Sequence, residues 1–561
     1  MDPQLEKNDP GAAVMLGLSR LAGKLKGLDG LGDLYRHSAK AGSSGFFGRV
    51  FEGLGLEADD KSLQGRTCTG PMIFMASGPA DAVTALGLMA ALEKRRPDVL
   101  VLATRALGWA PEARQRMLLS QAGPGSAAAN AAELRKALKH LRQGGALACF
   151  PWPGGATLKP SKLGMESGGR VAGWLAWASG ASVMPVHLSR RPALPGRIFI
   201  SAGKMLDPAR LRGFTTRAEL GDYLRLRAWL LRERDSTGVA RATRASAPLA
   251  SAVPPELLEN ELHRLGPLQK LASAGNLDCW TAQAFEIPML LREIGRLREA
   301  AFRAAGEGTG NPVDLDRFDH HYRQLFIWDR EARKLVGGYR IGCTDTILDS
   351  LGADGLYTHS LLKLKKPLLK ELGTALELGR SFVRPQYQRT YAPLMLLWKG
   401  IGAFVARYPR YHRLFGVVSI SNDYHPMSKE LMVSFVKQNL YRGDLARLAK
   451  PRKAYTPGYV PRPVDDLCWR MGSSMDEVSD WVMELEKDGK GVPVLFKQYA
   501  KLGARFFGFN VDQEFGQVVD GIMAVDLKET EPRVLERYLG KQGLKNFLAW
   551  HDPESSLAAP V

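Results

Sequence analysis

Short apolar runs alternate with stretches of helical period through the first part of the chain. "PMIFMA", "DVLVLAT", "GALACFPW", "ASVMPVHL" and "GRIFISAG" are spaced by "ADAVTALGLMAALEKRR" and "AAELRKALKHLRQGG". Apolar runs of that length bounded by turn residues read as buried strands, so the pattern predicts an α/β layer with a largely parallel sheet. The pattern lapses at "STGVARATRASAPLASAVPP", residues 236–255, which reads as a linker between a first domain, 1–235, and a second, 256–561. In the second domain Leu290, Ile294, Leu297 and Ala301 recur at i, i+4, i+7 and i+11, the spacing of an amphipathic helix. "RQLFIWDREARKLVGGYRIG" predicts a hairpin, and "LMLLWKGIGAFVA" an apolar helix from Leu394 to about Ala406. "VPVLFKQYAKLGARFFGFNVDQEFGQVVDGIMAVDL" predicts a helix and two strands. The fold class expected is α/β, in two domains.

Between the hairpin and the apolar helix lies "ELGRSFVRPQYQRTYAP", residues 377–393, a strand patterned for burial that carries Glu377 and Arg380. Charges removed from water must be paired or used. In a regular strand the two side chains point to opposite faces, and a bulge at Gly379 brings them toward one side. Pro385 removes a backbone donor in the following turn, and Pro393 suits the first turn of a helix. Strand, bend, loop and helix N-terminus together offer backbone N–H groups to a phosphate or thioester oxygen.

Length and composition, 561 residues with 45% hydrophobic and 24% charged, exclude wholesale disorder and exceed one ordinary domain. The formal charge of +19 changes the picture more, because so basic a surface seeks nucleic acid, the anionic face of a membrane or an acidic protein. No RNP-like, helix-turn-helix or zinc pattern accompanies the charge, so nucleic acid is not an expected partner. Cys68, Cys149, Cys279, Cys343 and Cys468 lie far apart without C-x-x-C spacing, which indicates neither a metal site nor a disulfide framework. The longest apolar run, "VAGWLAWASGASVMPV", is shorter than the ~20 residues of a membrane span, and "MDPQLEKNDP" is not of signal-peptide type. The expectation is a cytoplasmic protein, peripheral at the inner face of the membrane.

The order of "DLDRFD", a hairpin ending in "YRIG", "LELGRSFVRPQY", "LLWKGIGAF" and the closing segment resembles one branch of the GNAT superfamily. That branch holds the ornithine-lipid N-acyltransferases (the hemolysin-like group) and, more distantly, the acyl-homoserine-lactone synthases. The match runs over most of 277–527. It implies a GNAT-like α/β domain with a central mixed sheet and a catalytic set of Asp316, Asp319, Arg340, Glu377 and Arg380. Glu377 is the expected general base, directly or through water, since acyl transfer to an amine needs a neutral nucleophile. Arg340 and Arg380 are expected to pair with the carboxylates and to position the acceptor's carboxylate. The bland alternative is a structural ion-pair network. The resemblance assigns the donor to Ser381, Val383, Arg389, Thr390 and Tyr391.

The superfamily's pyrophosphate loop, Q/R-x-x-G-x-G/A, lets backbone approach coenzyme A, and neither "QRTYAP" nor "QYQRTY" has its glycines. No permanently bound cofactor is therefore expected. The implied donor is the acyl-phosphopantetheine of acyl carrier protein, an acidic partner for a basic enzyme. The implied acceptor is the α-amine of ornithine or a similar amino acid, and the product a (3-hydroxy)acylated lyso-aminolipid. "KLKK" at 363–366 and the basic stretch 441–463 offer docking surface or are plain solvated faces.

The first half is similar to glycerolipid acyltransferases of the lysophosphatidate type over roughly 28–191, through "LDGLGDLYRH", "GPMIFMASGPADAVTALGL", "GGALACFPWPGGAT" and "GASVMPVHL". That family's chemistry rests on H-x-x-x-x-D, a histidine base oriented by an aspartate. Here Ala76 and Ser77 stand where the histidine would be, Asp81 remains, and no histidine lies between His37 and His140. This half is expected to have lost O-acylation and to bind acyl chain, carrier protein or membrane. Ser77 has no base near it in sequence, and His187 reads as a satisfied strand residue. Two other readings stay open: a bifunctional N- and O-acyltransferase, and a non-catalytic protein that binds lipid or carrier protein.

Overall fold

A computed structural model of the chain describes residues 45–66, 68–77, 82–104, 116–120, 127–150, 166–191, 193–236, 246–456 and 474–552. By contact the chain divides into two compact units, one of 1–238, 461–471 and 483–490, the other of 239–460, 472–482 and 491–561. "LDGLGDLYRH", Asp81, "PWPGGAT", Cys468, residues 237–245 of the expected linker and 457–463 of the basic stretch lie outside the described residues.

In the first unit seven strands form one sheet: β1 (Glu57–Asp59), β2 (Met72–Ser77), β3 (Leu100–Thr104), β4 (Met117–Ser120), β5 (Ala146–Cys149), β6 (Ser182–Arg191) and β7 (Leu194–Ala202). Their order is β1-β7-β6-β2-β5-β3-β4, parallel throughout except for the β6–β7 pair. β2 lies between β5 and β6 and is buried along its whole length. That explains its unbroken apolar run, since a central parallel strand is covered on both faces. The Ala82–Glu93 helix covers one face with Leu88, Met89 and Leu92 against Phe47, Phe51 and Phe74. Its last residue, Glu93, accepts from the amides of Gly45, Phe47 and Gly48 at 2.8, 3.2 and 3.4 Å, capping the Phe46–Gly53 helix with a carboxylate where its dipole favours one. Within the same unit Glu484 accepts from Arg227 Nε at 2.6 Å.

The second unit is built on an eight-stranded mixed sheet with the order β16-β17-β14-β13-β11-β10-β9-β8. The strands are β8 (Lys270–Ala274), β9 (Leu277–Gln283), β10 (Arg323–Asp329), β11 (Lys334–Cys343), β13 (Ala375–Val383), β14 (Arg413–Ile420), β16 (Arg505–Asp512) and β17 (Val518–Asp526), while β12 (Leu362–Leu364) and β15 (Ala449–Pro451) pair separately. β10 and β11 form the expected hairpin. The amphipathic helix is Pro288–Ala304, with Leu290, Ile294, Leu297 and Ala301 packed on Phe326, Trp328 and Phe382. The apolar helix is Ala392–Arg407, and the closing segment is the Val494–Lys501 helix followed by β16 and β17. Residues 246–254 do not hang free: Ala247 and Ala250 donate to Gly310 O and Pro312 O, and Val253 to Glu293 Oε2. None of the described helices is long and apolar enough to cross a membrane.

Two irregularities in β13 position the site. Its pairing with β11 passes from Gly338↔Phe382 to Arg340↔Gly379, so one extra residue sits on β13. The bulge falls one residue beyond the expected Gly379: Arg380 itself takes the left-handed backbone, φ 49°. Its guanidinium is held from several sides, and such tertiary contacts can outweigh backbone preference. β13 and β14 are the sheet's parallel pair, and they pair only from Ala375↔Arg413 to Leu378↔Gly416. Gly416 (φ 154°) allows that last contact, because a Cβ there would lie 2.2 Å from Leu378 O. Beyond it β13 continues against β11 and β14 against β17, and a wedge opens between them.

Candidate functional site

Asp316 and Asp319 sit on the short turn Arg317–His320, as N-cap and third residue of a capping box. From there they enter a buried network in which three arginines meet three aspartates. Arg298 reaches Asp314 Oδ2 at 2.9 Å and Asp319 Oδ2 at 2.8 Å. Arg340 Nη1 reaches Asp316 Oδ1 at 2.6 Å and Asp319 Oδ2 at 3.4 Å. Arg380 approaches Asp314 Oδ2 at 3.3 Å and Asp316 Oδ2 at 3.6 Å. Burial by itself would raise Asp319; the guanidiniums of Arg298 and Arg340 outweigh it and hold that carboxyl well below the usual range. The Tyr357 ring lies between Arg340 and Arg380, whose Cζ atoms are 5.1 and 4.8 Å from its centroid. Its hydroxyl accepts from Arg380 Nη1 at 3.0 Å and donates to Asp512 at 3.1 Å.

Glu377 lies beside this network, 2% exposed. Tyr322 Oη and the Tyr357 amide (3.2 Å) donate to its Oε2, and the Thr358 amide (2.5 Å) and hydroxyl to its Oε1. Burial raises its pKa, offset in part by those bonds and by Arg340. Glu377, expected as the general base directly or through water, has both oxygens engaged and does not line the adjacent cavity. Its geometry is that of an anchor for the Tyr357–Thr358 turn.

The cavity, about 240 Å³, fills the wedge between β13 and β14. Leu378, Gly379, Arg380 and Ser381 form one wall; Val417, Val418 and Ser419 form the other. Phe302, Phe515, Tyr339 and Tyr499 close it, and Glu307 and Asp520 bring carboxyls to it. Burial and the charge of Asp512 push Asp520 up to about 7; burial and the charges of Asp520 and Asp423 push Glu307 up to about 8. Of the five positions expected to meet the donor, Ser381 lines this cavity. Val383 pairs with Gly337 further along β13, and Arg389, Thr390 and Tyr391 are exposed where the Ala392–Arg407 helix begins.

Sequence reasoning passed over Arg298, Asp314, Glu307 and Asp520. Arg298 was within reach, lying four residues after Ile294 and three before Ala301 on the buried face. Asp314 is the first residue of the quoted "DLDRFD". In the first unit Ser77 and His187 are opposite each other on β2 and β6, and Ser77 Oγ lies 3.1 Å from His187 Nδ1. Remote in sequence, the base-type partner is adjacent in space.

A model of the acetyltransferase (GNAT) domain matches residues 297–399, a range that includes β10, β11 and β13. The glycine N(alpha)-acyltransferase of Bacteroides thetaiotaomicron is 34% identical over 287 residues, 48% of this chain and 84% of that protein. The enzyme of the same name from Phocaeicola vulgatus is 33% identical over 256 residues, 43% of this chain and 77% of its own length. The chain belongs to the N-acyltransferase family of these proteins. Among solved structures, the 1-acyl-sn-glycerophosphate acyltransferase PlsC from Thermotoga maritima aligns with 35% of this chain and 80% of its own at 18% identity, with a TM-score of 0.25 that carries no argument.

Proposed function

We propose that the second unit transfers a fatty acyl group, in the fullest form a (3-hydroxy)acyl group, from the thioester of acyl carrier protein to the α-amine of ornithine, glycine or a similar amino acid, giving a lyso-aminolipid. The observation that carries this reading is the wedge between β13 and β14. Over Gly379–Ser381 and Val417–Ser419 the two strands no longer pair with each other, so main-chain groups on those edges are open to an amide-bearing chain that adds as a strand, as phosphopantetheine can. Its thioester then reaches a small cavity whose wall carries Arg380. Arg380 is the group suited to the acceptor's carboxylate, and Asp314, Asp316, Asp319, Arg298 and Arg340 hold it in place. Glycine is the acceptor printed in the relatives' name; ornithine is the acceptor the sequence resemblance implies. The glycine-free loop favours carrier protein over coenzyme A, and the charge of +19 suits both that acidic partner and an anionic membrane face at which the product is used.

The first unit serves in this reading as a non-catalytic binding module for acyl chain, carrier protein or membrane. A second reading, retained O-acylation, is favoured by the Ser77–His187 contact at 3.1 Å. Purified protein incubated with labelled ornithine or glycine and acyl carrier protein thioester tests both. An N-acylated amino acid is expected, and absence of product from either amine defeats the main reading. A diacylated product abolished by His187→Ala would establish the second.

A further inference from the structure

The cavity has an acidic end that the proposed function does not use. Glu307 follows the Pro288–Ala304 helix, and Asp520 lies on β17 opposite Ser419 of β14, whose hydroxyl donates to it at 2.7 Å. Both line the same wedge as Arg380 and Ser381. Asp520 is 2% exposed, and Glu307 makes no side-chain hydrogen bond or ion pair among the described residues. The Tyr339 hydroxyl, on a residue 3% exposed, also ends at this cavity, beside Ser381 and Tyr499. A half-buried carboxyl at a cavity wall with no partner among the described residues, such as that of Glu307, is placed to meet a ligand's donor.

We propose that Glu307 and Asp520 form the amine subsite: they seat the ammonium of the acceptor, take a proton from it, and leave the neutral amine facing the thioester. This rests on the acyl-transfer reading and adds the acceptor's class, a zwitterion whose carboxylate goes to Arg380 and whose ammonium goes to the acid pair. Two features support it. The cavity contains two carboxyls against one guanidinium, and that guanidinium already faces Asp314 and Asp316, so an added cation is favoured. The groups around Asp520 are Ser419, Asp512, Glu307, Arg380 and Tyr357, and those around Glu307 are Asp520, Asp423 and Arg380. Burial first, and the neighbouring acids after it, raise both carboxyls toward the range in which a carboxylate accepts an ammonium proton efficiently.

The step balances without a further reagent. One ammonium proton passes to the acid pair, the amine nitrogen forms the C–N bond as the C–S bond breaks, and the second nitrogen proton goes to the departing thiolate. The pair then returns its proton to solvent.

The test measures kcat/KM for glycine and for ornithine between pH 6 and 9.5, at fixed acyl carrier protein thioester, in the full-length wild type, Glu307→Gln and Asp520→Asn. A general base contributes about 100-fold or more, so both variants are expected to lose at least roughly that factor toward the amine. They are also expected to lose the acid limb of the pH profile while KM for the donor stays within about twofold. Variants with wild-type kcat/KM and an unchanged acid limb overturn the inference. A wild type that acylates neither amine overturns instead the underlying function. Should Asp520→Asn fail to fold, Glu307→Gln, on a loop, decides alone, and Glu307→Asp is expected to recover part of the rate.

Discussion

Replacing Glu377 by glutamine separates an anchor from a base. The wild-type carboxylate accepts from Tyr322 Oη, from the Tyr357 amide at 3.2 Å, from the Thr358 amide at 2.5 Å and from the Thr358 hydroxyl. An amide has one acceptor oxygen, so its NH2 must face two of those donors whichever way it is turned. The less costly orientation sets the NH2 toward Tyr322, because the Tyr357 amide keeps the Tyr322 hydroxyl as acceptor at 2.9 Å. The variant still loses one or two bonds to a charged acceptor, each worth about 1.5–3 kcal/mol, so a loss on the order of 2–4 kcal/mol is expected. In a unit of this size that lowers Tm by roughly 5–10 °C. The sign of the pH dependence follows from burial, which raises the Glu377 pKa. The folded wild type holds its proton more tightly than the unfolded chain, so it loses stability as pH rises from the ordinary carboxyl value through the raised one. Glutamine does not titrate, so the gap between wild type and variant is widest in acid and narrows toward alkaline pH. Differential scanning calorimetry from pH 4 to 9, alongside turnover, checks this. Activity is expected to fall by about tenfold or less, below the 10²–10⁴ typical of a lost general base. An unchanged Tm with a thousandfold loss of turnover would return the base role to Glu377 and refute the anchor.

Arg298→Met removes one guanidinium from a network of three and leaves Asp314 and Asp319 with only their longer contacts to Arg380 and Arg340, which is expected to destabilise by about 3 kcal/mol in chemical denaturation. Because the Asp319 pKa is depressed, its stabilising contribution is present above the ordinary carboxyl value and lost as pH falls toward the lowered one. The wild type's advantage over Arg298→Met is therefore expected to shrink below about pH 4. An equal advantage at pH 3 and pH 7 would count against the network. Gly416→Val puts a Cβ 2.2 Å from Leu378 O and must push β13 from β14 at the mouth of the wedge. A rise in donor KM of about tenfold, with a stability loss of roughly 1–3 kcal/mol, is expected from kinetics and melting. Wild-type donor KM in a folded variant would show that the donor binds elsewhere.

Much of the second unit was legible because its elements announce themselves locally. The hairpin of β10 and β11, the Pro288–Ala304 helix and β13 each carry a period that survives into the fold. A charge inside a buried run marked Glu377 and Arg380, and the same signal was available for Asp520 in "VVDGIMAVD" and for Arg298 on the helix's apolar face. What that signal cannot say is which buried charge faces a neighbour and which faces a cavity. That distinction depends on where β13 and β14 stop pairing, a register set by strands far apart in sequence. Glu307 had no signal at all, since a glutamate in a turn is ordinarily solvated. The Ser77–His187 contact was hidden for a related reason: only the register of β2 on β6 brings two residues 110 apart into reach.

Backbone strain at Arg380 gives the sharpest argument that this arginine serves more than stability. Gly379, its neighbour, could take a left-handed conformation without penalty, yet the positive φ of 49° falls on Arg380, at a cost of about 1–3 kcal/mol. A buried ion-pair network offers little net stability over a well-packed apolar replacement, so pairing with Asp314 and Asp316 at 3.3 and 3.6 Å is a weak offset for that strain. Presenting the guanidinium at the cavity wall is a stronger reason. Arg380→Gly separates the two effects: it relieves the backbone while removing the guanidinium. Partial cancellation is expected in stability, with a net change of about 2 kcal/mol or less. Turnover with an α-amino acid is expected to fall by at least about 100-fold, the loss that goes with removing a charged group from a bound carboxylate. Arg380→Met keeps the strain and loses the charge, so it should be the less stable of the two and equally inactive. Full activity in Arg380→Gly would mean that the wedge does not take the acceptor's carboxylate, and the strained arginine would then be a feature of the scaffold alone.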